Sequence, residues 1–277
     1  MRIVSGIMFL LMALAVPGKS NSQMGSEPYM VVHGWPEVPS GFVFGAASGV
    51  AVDSHNHVWL LHRGPTRSIM AFDGDTGAVV ASFGDGLFIS PHGLAGDSQD
   101  NIWVTDATSG TAPSRHQVLK FSHDGELVMT LGAEGVPGLD GNHFNQPTDI
   151  AIASNGDVFV SDGYMNRRVV KFDKSGQYLL DWGMEGEDDG EFALPHGIAV
   201  DLQNRVYVAD RSNLRIQVFD GEIGRHLATW KPSVMARPWG LEVGTDGNLY
   251  VMDGGHLKTE LPDEARIIKM DLSGKVL

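Results

Sequence analysis

One motif recurs five times along this chain of 277 residues. The copies read SGVAVDSHNHVWLLHR (48–63), HGLAGDSQDNIWVTD (92–106), TDIAIASNGDVFVSD (148–162), HGIAVDLQNRVYVAD (196–210) and WGLEVGTDGNLYVMD (239–253). Their starts lie 44, 56, 48 and 43 residues apart. A period of roughly 40–50 residues built from short β-rich units is the signature of a propeller blade. In the fourth copy an apolar run, Ile198-Ala199-Val200, leads through a polar turn to an alternating strand that ends at Asp210. Alternation at period two marks a half-buried strand. A third strand reads QVLKF, RVVKF, RIQVF or RIIKM, and a fourth follows a turn rich in Asp, Ser and Gly. Four short antiparallel strands make a blade, so the fold class expected is all-β, a β-propeller of the six-bladed type with five blades present.

Composition agrees. The chain has 35 glycines and only 19% charged residues, as tight turns between short strands require. The net charge of −14 argues against nucleic acid as a partner, which needs a basic face. Residues 1–23 read differently from the rest. Arg2 is followed by an apolar run (7–16) and then by small polar residues (18–23), the pattern of a secretory signal peptide too short to span a bilayer. We therefore expect residues 1–23 to be a signal peptide, residues 24–277 a propeller domain, and the protein to be exported to the periplasm or secreted. No other run is long enough for a membrane span. There is no cysteine, so no disulfide, and no Asn-x-Ser/Thr acceptor. The sequence ends inside what should be the fourth strand of the fifth copy. Either the ring has five blades or a sixth is missing; a propeller stopping there would leave strand groups unpaired, so the favoured expectation is a C-terminally truncated propeller whose sixth blade is missing.

Equivalent positions of successive blades form a ring around one axis, so residues at a fixed register converge. The first register holds Ser48, His92, Thr148, His196 and Trp239. His92 and His196 sit on alternate blades, about 120° apart in a six-bladed ring, facing the same channel. Imidazoles around one open position suit zinc, although a lone histidine there would usually be a hydrogen-bonded structural residue. Fifteen residues further on, blades one and four carry Arg63 and Arg211, where the other copies have Ala107, Gly163 and Gly254. Two guanidinium groups facing one axis suggest an anion such as a carboxylate, with inter-blade salt bridging as the plain alternative. Tyr164 lies one position beyond this register, in blade three. A phenol beside zinc and two arginines suits a general base, although a tyrosine after a strand is usually packing. The recurrent Asp106, Asp162, Asp210 and Asp253 at the ends of second strands read as hydrogen-bonding turn or inter-blade residues.

With their connecting stretches, these residues resemble the peptidyl-α-hydroxyglycine α-amidating lyase family, a group of NHL-repeat propellers. The resemblance rests on SPHGLAGDSQDNIWVTDA (90–107), NHFNQPTDIAIASNGDVFVSDGYMNRRVVKF (142–172) and PHGIAVDLQNRVYVADRSNLRIQVF (195–219), and runs over residues 50–277. The pattern DGY-x-N-x-R and the run NHFNQPTD are more specific than a generic NHL repeat. The resemblance implies a six-bladed ring with zinc on its axis, a carbon–nitrogen lyase that splits a peptidyl-α-hydroxyglycine, or a similar carbinolamide, into a peptide amide and glyoxylate. It implies that His92 and His196 are two of three zinc ligands, that Tyr164 is the base, and that Arg63 and Arg211 are active-site arginines. It also implies a structural calcium, with backbone carbonyls at Val50 and Leu94 among its ligands. The third zinc histidine and a calcium aspartate belong to a sixth blade that this sequence does not include; His256 lies outside the ligand register.

Two other readings stand beside the lyase. One is a non-catalytic NHL propeller that binds peptide, protein or glycan outside the cytoplasm, since a fold does not choose a function. The other is a metal-dependent lactonase on a similar ring. Such sites rely on carboxylate ligands, and the histidine register argues against it.

Overall fold

The computed structural model describes residues 29, 31–107, 113–255 and 265–277. The expected signal peptide and His256 lie outside the described residues. Blade one comprises β1 (Ala47–Val52), β2 (His57–His62), β3 (Ile69–Asp73) and β4 (Val79–Phe83). Blade two follows with β5 (Pro91–Gly96), β6 (Ile102–Asp106), β7 (Gln117–Phe121) and β8 (Leu127–Leu131). Blade three has β9 (Asp149–Ile152), β10 (Val158–Asp162), β11 (Arg168–Phe172) and β12 (Tyr178–Trp182). Blade four has β13 (Pro195–Val200), β14 (Arg205–Asp210), β15 (Arg215–Asp220) and β16 (His226–Trp230). Blade five has β17 (Pro238–Val243), β18 (Leu249–Asp253) and β19 (Arg266–Met270), and a bridge from Met270 to Val276 begins a fourth strand. Strands within each blade pair antiparallel in chain order. The fold is therefore an all-β, five-bladed propeller arrangement, as the repeat predicts.

First strands lie innermost: β1 packs beside β5, β5 beside β9, β9 beside β13 and β13 beside β17. The apolar core sits between blades rather than within them. Trp59, Leu61 and Ile69 of blade one share a cluster with Ile102, Val104 and Phe121 of blade two, and similar clusters join each later pair. An alternating strand has two faces, and in a propeller each face meets a different neighbour, so one set of residues holds two blades together.

The recurrent aspartates do the work expected of a turn residue. Asp106 accepts the amides of Ile89 and Ser90, Asp210 those of Ala193 and Leu194, and Asp253 those of Ala236 and Arg237. Each ties the chain entering its blade to the second strand. Buried arginines neutralise two of the four; Arg168 and Arg215 lie 3.1 and 2.8 Å from Asp162 and Asp210. In blade one the position belongs to His62. Its Nδ1 accepts the amide of Gly45 at 3.3 Å, and burial holds its pKa below the usual imidazole range, so a neutral ring replaces the carboxylate–arginine pair. The chain before blade one folds back on it. Trp35 packs on Phe72, Phe42 and Phe44 close over His62, and the Tyr29 hydroxyl meets that of Tyr250 in blade five at 2.9 Å.

Candidate active site at the centre of the ring

His92 and His196 stand near the starts of β5 and β13, and both strands are irregular there. The pairing Pro91–Asp106 is followed by Leu94–Val104, and Pro195–Asp210 by Ile198–Val208. One extra residue on the inner strand makes a β-bulge, which turns a side chain off the pleat. The glycine after each histidine lets the next blade approach. A Cβ on Gly197 would lie 2.6 Å from Cα of Gly240, and one on Gly93 2.4 Å from Oδ1 of Asp149.

The bulges direct both imidazoles to one place. Nδ1 of His92 bonds the carbonyl of Thr148 at 2.6 Å, and Nδ1 of His196 bonds that of Trp239 at 2.6 Å. A carbonyl only accepts, so each Nδ1 carries the proton and each Nε2 presents a lone pair. Those lone pairs meet the Tyr164 hydroxyl, at 2.8 Å from His92 and 3.3 Å from His196. Burial, then the charges of Arg63 and Arg211, push the His92 pKa down to about 3 despite the Thr148 bond. His196 is driven well below its ordinary value by burial first, then by His92 and Arg211. Two neutral nitrogens and one hydroxyl oxygen therefore converge with one proton among them. The tyrosine can donate to one imidazole only, and the other nitrogen faces an oxygen lone pair. A cation resolves that arrangement. Outward Nδ1 bonds to backbone carbonyls are the usual support of a metal-binding histidine, so the residues present fit zinc through Nε2.

Tyr164 projects from the turn between β10 and β11. Arg167 braces that turn with bonds to the carbonyls of Gly163, Tyr164 and Asn166, and Asn166 bonds Asp162. A Cβ on Gly163 would strike the carbonyl of Pro195. Arg211 follows β14 in a short 3-10 turn, Arg211–Asn213, which strand periodicity does not reveal. Its guanidinium carbon lies 4.4 Å from the Trp239 ring centroid and 5.9 Å from that of Tyr164. Arg63 donates through Nε to the carbonyl of Pro91, next to His92. The structure thus gathers His92, His196, Tyr164, Arg63 and Arg211. Val50 and Leu94 occupy matching places on β1 and β5, and a Cβ on Gly49 would touch Leu94, so these two inner strands run in close contact.

Sequence reading missed three members of this region. Arg237 lies 5.9 Å from the Trp239 ring and lends a third guanidinium. Asp149 and Glu242 stand on first strands β9 and β17, in the ring wall. Asp149 is pushed up to about 7 by burial, and Glu242 likewise. Glu242 keeps solvent exposure on the innermost strand of its blade. Both occupy positions that are glycine or alanine in the other copies, and that departure is the signal the sequence carried.

The NHL repeat model matches residues 144–172 and 192–219. A mouse peptidyl-glycine α-amidating monooxygenase is 39% identical over 217 residues, covering 67% of this chain and 21% of its own length. A probable peptidyl-α-hydroxyglycine α-amidating lyase of Caenorhabditis elegans is 37% identical, covering 63% of this chain and 55% of its own. Human NHL repeat-containing protein 3 is 35% identical, covering 73% and 59%. The chain thus spans little over half of the shorter relatives and about a fifth of the longer one. Among solved structures, a streptogramin B lyase superposes with a TM-score of 0.61 at 18% identity over 86% of this chain and 69% of that one, a likeness of fold. The chain is an NHL-repeat β-propeller related to the peptidyl-α-hydroxyglycine α-amidating lyases.

Proposed function

We propose that this protein is an exported zinc-dependent lyase that cleaves a peptidyl-α-hydroxyglycine, or a similar carbinolamide, to a peptide amide and glyoxylate. The observation that carries the proposal is the meeting of two imidazole lone pairs with the Tyr164 hydroxyl. His92 and His196 would hold the metal through Nε2; a third ligand is what the family implies from a sixth blade. Zinc, when bound, supplies a Lewis acid for the substrate's α-hydroxyl. Tyr164, acting as the phenolate once its own proton has left, would take the hydroxyl proton and pass it to the leaving nitrogen. As the carbonyl forms, the carbon–nitrogen bond breaks, its electron pair stays on the amide nitrogen, and that nitrogen takes a proton. Arg211 and Arg63 sit where they can hold the substrate carboxylate; among the described residues Arg63 bonds Pro91 through Nε, which leaves its terminal N–H groups for a ligand. A calcium held by carbonyls of Val50 and Leu94 is part of the same proposal, as is export directed by residues 1–23.

The test is glyoxylate release from an α-hydroxyglycine peptide with added zinc. Tyr164→Phe and His92→Ala should each lower the rate by about 10²-fold or more, the usual weight of a positioned acid–base group. Release that is absent in the unaltered protein, or unchanged in both variants, would overturn the reading. A relative named for its NHL repeats alone supports the second reading, a non-catalytic propeller that binds peptide, protein or glycan. In that case the unaltered protein binds such a ligand and releases no glyoxylate.

A further inference from the structure

A second group of histidines lies far from the axis, on the rim between blades one and two. Asp53 and His55 belong to the turn joining β1 to β2, His57 opens β2, and His123 lies in the turn joining β7 to β8. One potential ligand atom from each lies within 4.8 Å of every other. The three imidazole centroids form a nearly equilateral triangle with sides of 5.7, 5.6 and 5.6 Å. Oδ2 of Asp53 is the hub, 3.0 Å from Nδ1 of His57 and 3.2 Å from Nε2 of His123. Two ligands on a tetrahedral zinc with bonds of about 2.0–2.1 Å stand about 3.3 Å apart, so these separations need little change.

Comparison with the other blades shows what is unusual. Asp97 and Asp201 hold the same place in blades two and four. Each takes a permanent cation, Lys120 at 3.0 Å and Arg205 at 2.7 Å. In blade one the position of Lys120 is Ala71, and that of Arg205 is His57. Asp53 therefore faces three imidazoles instead of a lysine or arginine. Its side chain is only 1% exposed, and its carboxylate is fixed. Oδ1 accepts the amides of His55 and His57, and Oδ2 accepts Trp59 Nε1. Burial opposes its charge, but the bonds from Trp59, His57 and His55 outweigh burial and hold its pKa below the usual range. Asp100, from the turn between β5 and β6, reaches His55 at 3.3 Å and binds the Ser54 hydroxyl, orienting the triangle from behind. Three imidazoles and one carboxylate suit zinc and its neighbours, not calcium or magnesium.

We propose that Asp53, His55, His57 and His123 form a second zinc site, separate from the axial one, that staples blade one to blade two. The site does not depend on the lyase reading, and its test is made in the His92→Ala/His196→Ala background, where the axial ligands are gone. Sister blades supply replacements the fold already accepts: Gln at the place of His55 (Gln99, Gln203), Asn at that of His57 (Asn101, Asn248) and Lys at that of His123 (Lys174). The metal-stripped double variant should bind one zinc per chain in a calorimetric titration, and zinc should raise its thermal midpoint. Adding His55→Gln, His57→Asn and His123→Lys should abolish both effects while leaving the metal-free midpoint near that of the double variant. Failure of the double variant to take up zinc, or unchanged uptake after the three replacements, would overturn the proposal.

Discussion

Single residues at the axis carry the sharpest consequences. His92 and His196 are neutral in the fold because burial and nearby arginines oppose their protonation. A depressed folded pKa contributes stability that is full above the unfolded value, near 6.5, and lost as pH falls toward the folded value, about 3 for His92. The thermal midpoint should therefore fall across that window, and His92→Gln should fall less steeply. Asp149 has the opposite sign. Raised from 3.8 to about 7, its contribution is full below the unfolded value and lost as pH rises through 7. Asp149→Asn should raise the midpoint at pH 8 and leave it nearly unchanged at pH 4; a melting series at both pH values checks this. At this scale the sequence was readable where register alone decides. His92, His196, Arg63 and Arg211 share positions that a ring must bring together. Asp149 and Glu242 were legible only as departures from the Gly and Ala of the other copies, and Arg237 carried no register signal, because what they do comes from burial and neighbours.

At the scale of elements, strands were legible and their irregularities were not. The apolar runs mark β10, β14 and their kin, but these second strands are buried on both faces instead of alternately half-buried, since each face meets a neighbouring blade. The bulges at His92-Gly93 and His196-Gly197 lie inside runs that look like ordinary strand, and only the close approach of the next blade explains the glycines. The covering segment 31–46 has no alternation, although Trp35, Phe42 and Phe44 hint at packing. Two elements invite tests. Gly197→Ala would push a Cβ into Gly240 and the Trp239 carbonyl that fixes His196. It should lower zinc affinity at the axis as well as stability, both measurable by titration and melting. Asp210→Ala removes the partner of Arg215, whose side chain is 3% exposed, and leaves the amides of Ala193 and Leu194 without their acceptor. Stranding a buried charge costs about 3–5 kcal/mol, which urea unfolding would register as a shift of the midpoint with little change of slope.

The whole molecule joins blades through shared cores, with the candidate site where first strands converge. That architecture was legible from the repeat alone, because a blade cannot bury its faces without a neighbour. The rim cluster was not, since Asp53, His55 and His57 read as an ordinary polar turn until His123 arrives from the next blade. No helix among the described residues is long and apolar enough to cross a membrane. The central claim is that His92 and His196 hold one metal beside the Tyr164 hydroxyl. A zinc titration of the protein carrying His55→Gln, His57→Asn and His123→Lys isolates it from the rim. One zinc per chain, lost on His92→Ala and again on His196→Ala, is the result expected. Uptake that none of these axial substitutions alters, or no uptake at all, would contradict the claim.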